Sequence, residues 1–196
     1  MGMCRRRGFT LAEVIVALGV LVLLGGAMVA FYSSGARYFA RSSMFSQVSA
    51  AATMAAKSIA ADAQQAMAVK SGTSLPAEEC SSAAQLVLAM PAIDPATGYN
   101  QVPLQEGAWV RYYLSDKSGA YGSTGPYLWR GVKRLSEGVW RTDKCLARSV
   151  TGLHFGYAPG LAQASRVVIS VTAATSGGGG RSTVASESTE ALLRNR

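Results

Sequence analysis

From Val14 to Tyr32 the sequence carries no charged residue. Nineteen residues in a helix, rising 1.5 Å each, reach ~28 Å, close to the hydrocarbon thickness of a bilayer. Arg5, Arg6 and Arg7 precede this run, so the positive-inside tendency holds the short N-terminus in the cytoplasm and sends the C-terminal bulk across the membrane. Arg37 and Arg41 follow the run and slightly weaken that asymmetry. One acidic residue, Glu13, stands at the near edge of the span. A carboxylate deep in lipid costs ~2.5–3.5 kcal/mol on insertion scales, so Glu13 needs a partner. A local one is at hand, because Thr10-x-x-Glu13 fits a capping box at a helix start.

Three ordinary explanations of the apolar run fit imperfectly. A secretory signal has a shorter apolar core before its small-x-small site, whereas Ala27-Met28-Val29-Ala30 comes only after a run already long enough to span. A lipoprotein cysteine follows the apolar run, and Cys4 precedes it. A plain single-pass anchor bearing an unrelated periplasmic domain accounts for the hydropathy but not for the placing of Glu13.

The stretch Arg5-Arg6-Arg7-Gly8-Phe9-Thr10-Leu11-Ala12-Glu13, continuing to about Leu24, resembles the N-terminus of type IV prepilins and type II secretion pseudopilins. Glycine, aromatic residue, glutamate and apolar span all keep register. The resemblance implies a basic leader removed by a membrane-embedded prepilin peptidase between Gly8 and Phe9, and methylation of the freed Phe9 amine. It also implies that Glu13, fifth residue of the mature chain, pairs with the N-terminal amine of a neighbouring subunit. Physics agrees: an α-amine with a pKa near ~8 is largely charged at neutral pH, and Glu13 lies four residues on, over the same helix face. Partners implied are the prepilin peptidase, other pilin or pseudopilin subunits and an inner-membrane assembly platform. Residues 1–8 are then leader, 9–32 the transmembrane and filament-core helix, 33–70 its amphipathic continuation, and 71–196 an extracytoplasmic, β-rich head.

Helical periodicity continues past the span. Phe45, Val48, Ala52, Ala55, Ile59, Ala63 and Ala66 recur at three- and four-residue spacing, predicting one helix from Phe9 to about Ala68 with an apolar stripe against the head. Gly19, Gly25 and Gly26 leave open either close helix contacts or a melted turn. Lys70 to Pro76 reads as a helix stop. Beyond it, Gln85–Met90, Trp109–Leu114, Tyr127–Val132, Val150–Tyr157 and Arg166–Thr172 read as strands between Gly, Pro, Asn and Asp punctuation. The predicted fold is α+β, a long N-terminal helix packed on an antiparallel sheet. With 49% hydrophobic residues among 196, the chain has material for one such core. The order of Val110–Leu114, Tyr127–Arg130 and Val150–Tyr157, with the closing Leu192–Arg196, resembles a minor pseudopilin of the J type or a related minor pilin.

Other sites carry weaker signals. Cys80 and Cys145 form an even pair once Cys4 leaves with the leader. They are a disulfide candidate, worth ~4 kcal/mol in a chain-entropy account, with two buried thiols as the alternative. The net charge of +8 includes the three leader arginines, and the remaining Lys and Arg are scattered without forming a concentrated stripe in the sequence, which does not argue for nucleic acid. An adhesive or DNA-binding minor pilin would instead show a clustered basic surface. His154, the only histidine, alternates away from Leu153, Phe155 and Tyr157 and has no nucleophile tied to it, so no catalytic role is assigned. Gly177-Gly178-Gly179-Gly180-Arg181-Ser182 lacks the Gly-Lys-Ser/Thr ending of a phosphate loop and reads as a hairpin connection. Glu78 and Glu79 fall short of a calcium cage. Trp109, Trp129 and Trp140 read as core or subunit contacts. No metal site or cofactor is called for.

Overall fold

The long helix is present as α1, Leu11–Gln65, in a computed structural model that describes residues 10–72, 74–177 and 181–193. The chain divides into two units, Met1–Ser43 and Met44–Arg196.

In the first unit every described residue except the half-buried Gly35 is exposed. This part of α1 is long and apolar enough to cross a membrane. Gly19, Gly25 and Gly26 are all helical, and nothing lies within 4 Å of where a Cβ would stand on any of them. The turn is therefore not melted.

In the second unit the end of α1 buries Val48, Ala52, Ala55, Ala56, Ile59, Ala60 and Ala63, the three- and four-residue rhythm expected of a face pressed on a sheet. Phe45, predicted to belong to that stripe, is instead 52% exposed. The helix stops at Gln65 rather than near Ala68 because the following backbone is captured elsewhere. Met67 N–H donates to the Ala89 carbonyl and Lys70 N–H to that of Val87, so Ala68–Val69 becomes a two-residue strand, β1.

Strands β2 (Leu86–Pro91), β3 (Glu106–Ser115), β4 (Tyr127–Arg134) and β5 (Trp140–Ala147) complete an antiparallel sheet in the order β1-β2-β3-β4-β5. Strands β6 (Val150–Ala158), β7 (Arg166–Gly177) and β8 (Arg181–Leu192) form a second, in the order β6-β7-β8. The five strands predicted for one antiparallel sheet are thus corrected, among the described residues, to eight in two, within the α+β class. Alternation sets the faces. Leu86, Leu88, Val110, Tyr112 and Leu128 of the first sheet, and Leu153, Phe155, Val167, Ile169 and Val171 of the second, join the helix in one core. Residues one step along, Val87, Ala89 and Trp109, form a smaller cluster on the opposite face, so β2 is covered on both sides.

The strands missed from sequence, the two-residue β1 and the longer β5 and β8, are all sheet edges. β5 exposes Arg141, Thr142, Asp143 and Lys144 and has register breaks against β4. β8 is held by twelve consecutive pairs with β7 and by hydroxyl contacts, Ser170 to Ser188 and Thr172 to Ser186, each 3.1 Å. Gly177 lies opposite Arg181, so the glycine run does connect a hairpin, although residues 178–180 are outside the described ones.

The alanines of α1 leave no room for bulk. Ala56→Leu, at a position with no exposed surface, is expected to lower stability by about 1–3 kcal/mol. Met54→Ala, at a side 70% exposed, should change it by less than about 0.5 kcal/mol. Urea unfolding of the detergent-solubilised chain measures both.

Candidate functional site

At the start of α1 the capping box is realised. Thr10 donates to Glu13 Oε2 from its backbone N–H at 2.9 Å and from its hydroxyl at 3.0 Å, while Glu13 N–H donates to Thr10 Oγ1 at 3.3 Å. Val14 N–H follows with a bond to the Thr10 carbonyl. The carboxylate therefore satisfies donors at a helix end whose positive dipole also favours it. Gly8 and Phe9, the residues assigned to cleavage and methylation, lie outside the described residues.

The head holds a polar network that sequence reasoning missed. Asp62, on α1 between Ile59 and Ala63, accepts a hydrogen bond from the Tyr112 hydroxyl and, at 2.9 Å, one from Arg130 Nε. Arg130 also reaches Asp143 on β5. Helix, β3, β4 and β5 are thus tied through one carboxylate and one guanidinium. Burial pulls the Arg130 pKa down, but the hydrogen bond and charge of Asp62 outweigh it and hold the group charged. Burial, then Asp62, pushes the Tyr112 phenol well above its ordinary range. The network borders a cavity of about 640 Å3 lined also by Val110, Val132 and Arg134. A signal was available: Asp62 is the one acidic residue in α1 after Glu13, one step from a buried stripe.

The opposite face of the five-stranded sheet absorbs much of the positive charge. Arg111, 3% exposed, stacks its guanidinium 4.8, 4.0 and 4.3 Å from the rings of Tyr113, Tyr121 and Trp140. Its Nη1 donates to the Glu78 carbonyl, and the Glu78 carboxylate stands 3.7 Å away. Burial lowers the Arg111 pKa, partly countered by the two tyrosines and Glu78. Lys70 and Lys133 lie over the Trp109 ring, paired with Glu106 and Glu79. Glu78 and Glu79 are therefore counter-ions of the sheet. Trp109 and Trp140 pack in the second cluster, and Trp129 donates to the Asp116 carbonyl at 2.8 Å. At Gly119, φ +74°, the backbone turns so that its carbonyl accepts the Tyr113 hydroxyl at 2.7 Å.

Cys80 and Cys145 are free thiols in this structure, half-buried, with Cys80 Sγ 3.1 Å from the Gly72 carbonyl and Cys145 Sγ 3.4 Å from that of Ala147. Burial raises the Cys145 pKa. His154 is exposed on the outer face of β6, opposite Ser170, while Leu153 and Phe155 turn into the core. Among the described residues no group of three His, Cys, Asp or Glu side chains is gathered for a metal ion.

Fold and site together define an α+β protein with an N-terminal helix of membrane-spanning length, capped by a carboxylate. Residues 3–29 match the family described as the prokaryotic N-terminal methylation motif. The match takes in Arg5, Arg6, Arg7, Gly8, Phe9, Glu13 and most of the apolar run, and nothing beyond residue 29. It supports a membrane-anchored type IV pilin-like protein, processed by prepilin peptidase and assembled with other pilin subunits. No curated protein and no solved structure matches the chain.

The raised phenol has a consequence for stability. A group whose folded pKa exceeds its unfolded value, about 10 for tyrosine, contributes stability that is complete below that pH and lost as pH rises further. Burial also raises the Tyr157 pKa. The head should therefore lose the small Cys145 contribution first, above about pH 8.5, and the larger tyrosine contributions above about pH 10. Tyr112→Phe should cost about 1–3 kcal/mol at pH 7 and flatten the alkaline decline. Denaturant midpoints from pH 8 to 11.5 measure both effects.

Proposed function

We propose that this chain is a minor pilin-like subunit of a type IV pilus or a type II secretion pseudopilus, acting in filament initiation or assembly. The observation that carries the reading is register: three arginines, Gly8, Phe9 and Glu13 occur in fixed order directly before an apolar helix of bilayer length. On this reading residues 1–8 are leader and stay cytoplasmic, residues 9–32 cross the inner membrane, and the head lies on the extracytoplasmic side. β3, β4 and β6, built from the segments that resemble a J-type minor pseudopilin, belong to that head.

Processing adds water across the Gly8–Phe9 amide. Glycine suits the residue before the cut, since it has no side chain to obstruct an extended fit in a protease cleft. The product is a cationic amine on Phe9, which methylation leaves basic. Glu13 is its counter-charge on a neighbouring subunit. Pairing neutralises two charges in an apolar setting and sets the axial register, a role in which buried pairs serve better than as a source of net stability. Before assembly the Thr10 donors occupy Glu13 Oε2, so docking exchanges partners for a carboxylate that is already satisfied.

Intact mass and N-terminal sequencing of the chain from a host with an active prepilin peptidase test the reading. The expected product begins at N-methylated Phe9. A chain still beginning at Met1 in that host would make it an unprocessed anchor. Glu13→Ala should leave insertion and cleavage intact and reduce recovery in sheared filaments at least tenfold; wild-type recovery removes the proposed role of the carboxylate.

A further inference from the structure

Arg37 and Arg41 stand where the orientation signal disfavours them, on the far side of the span from the leader. They are the first charges after Glu13, and no acidic residue occurs between Glu13 and Asp62. Neither guanidinium can be neutralised from within a turn of its own helix, and among the described residues neither has an ion pair. Both are exposed.

Height along the helix places them in a particular layer. Counted from Val14 at 1.5 Å per residue, Phe31 and Tyr32 lie ~26 Å up, Arg37 ~34 Å and Arg41 ~40 Å. A hydrocarbon core is about 30 Å thick and the bilayer with headgroups about 40–45 Å. The rings of Phe31 and Tyr32, each at least 80% exposed, thus fall at the far hydrocarbon boundary and the two guanidiniums at headgroup level. At 100° per residue Phe31, Ser34, Arg37, Tyr38 and Arg41 share an arc of ~120°, with Tyr32 and Phe39 on the other side. The aromatic residues therefore encircle the helix just below and beside the arginines, as an interfacial belt does. Arg37 and Arg41, four apart, sit ~6 Å from one another over one face. A guanidinium fork fits a phosphate in two-point contact.

We propose that Arg37 and Arg41, framed by Phe31, Tyr32, Tyr38 and Phe39, form a binding site for anionic phospholipid headgroups in the leaflet opposite the leader. The inference rests on the membrane-inserted reading above. The site holds the subunit at a fixed depth: with Arg37 among the far headgroups, Glu13 is ~36 Å away, at the near boundary instead of deep in lipid. Two charges that oppose the orientation signal thereby gain a counter-ion, and the subunit waits in the bilayer at the depth from which it is taken up.

The test uses the full chain in nanodiscs of phosphatidylcholine with phosphatidylglycerol, comparing wild type with Arg37→Gln/Arg41→Gln by native mass spectrometry of the lipids retained. The leader arginines are present in both, so their contribution cancels. The wild type should favour phosphatidylglycerol, and the ratio of bound phosphatidylglycerol to phosphatidylcholine should fall roughly fivefold per arginine removed. Arg37→Lys/Arg41→Lys should keep most of the preference. Equal ratios in wild type and the Gln variant overturn the site. So does a preference lost in neither but a cross-link from position 37 to an acidic residue of a second copy, which assigns the arginines to a protein partner. Resistance to alkaline extraction is scored separately in neutral vesicles. A wild type that is extracted there fails the membrane reading itself, whereas one that resists extraction yet shows no phosphatidylglycerol preference fails this inference alone.

Discussion

One helix has to answer to two solvents. Up to about Tyr32, α1 is apolar all round and none of its side chains is buried by protein, the state suited to lipid or to other helices. From Met44 onward the same element carries one buried apolar face, made mostly of alanine, and an exposed side that mixes polar residues with Phe45 and Met54. Alanine has the highest helix propensity and the smallest apolar side chain. The seam Ala52, Ala55, Ala56, Ala60 and Ala63 therefore keeps the helix rigid and lets the sheets approach closely, while the larger side chains Ile59, Leu88, Tyr112 and Phe155 fill the space between backbones. Residues of both sheets share one core with that face.

The buried and half-buried charges on the five-stranded sheet are handled by pairing and stacking. Asp62, Arg130 and Asp143 link helix and sheet on one face. On the other, arginine and lysine stack on aromatic rings and meet Glu78, Glu79 and Glu106. Among the described residues Arg111 Nε and Trp140 Nε1 are buried there without a hydrogen-bond partner, so this face is stabilised by stacking and by charge more than by complete hydrogen bonding. A chain with a pI near 9.7 thus builds a head without relying on a free basic stripe.

What sequence could reveal followed from the range of each interaction. The stripe Val48, Ala52, Ala55, Ile59, Ala63 was readable because helical period is local, and β2, β3, β4, β6 and β7 were readable because their apolar residues are dense or alternate. β5 and β8 were not, since edge strands need only one partner and here are built from Arg, Asp, Lys, Ser, Thr and Glu. The helix end was misplaced by three residues because β2, some twenty residues on, takes the backbone donors. Phe45 fits the period, but burial requires something to pack against. The Asp62 network spans separations of 50 and 68 residues to Tyr112 and Arg130, which no local pattern encodes. At the N-terminus the Thr10–Glu13 box was readable because four consecutive residues contain it entirely.

That box bears on the reversibility of any assembly built as proposed. A carboxylate that leaves two neutral donors for one cationic amine trades contacts of comparable strength, and the net change is small compared with that of an orphan charge finding its first partner. Glu13 then acts as a selector of position with little pull of its own. On that proposal the driving force for adding a subunit would come from the apolar surface of α1, and with no deep electrostatic trap to hold it, the subunit could also be withdrawn.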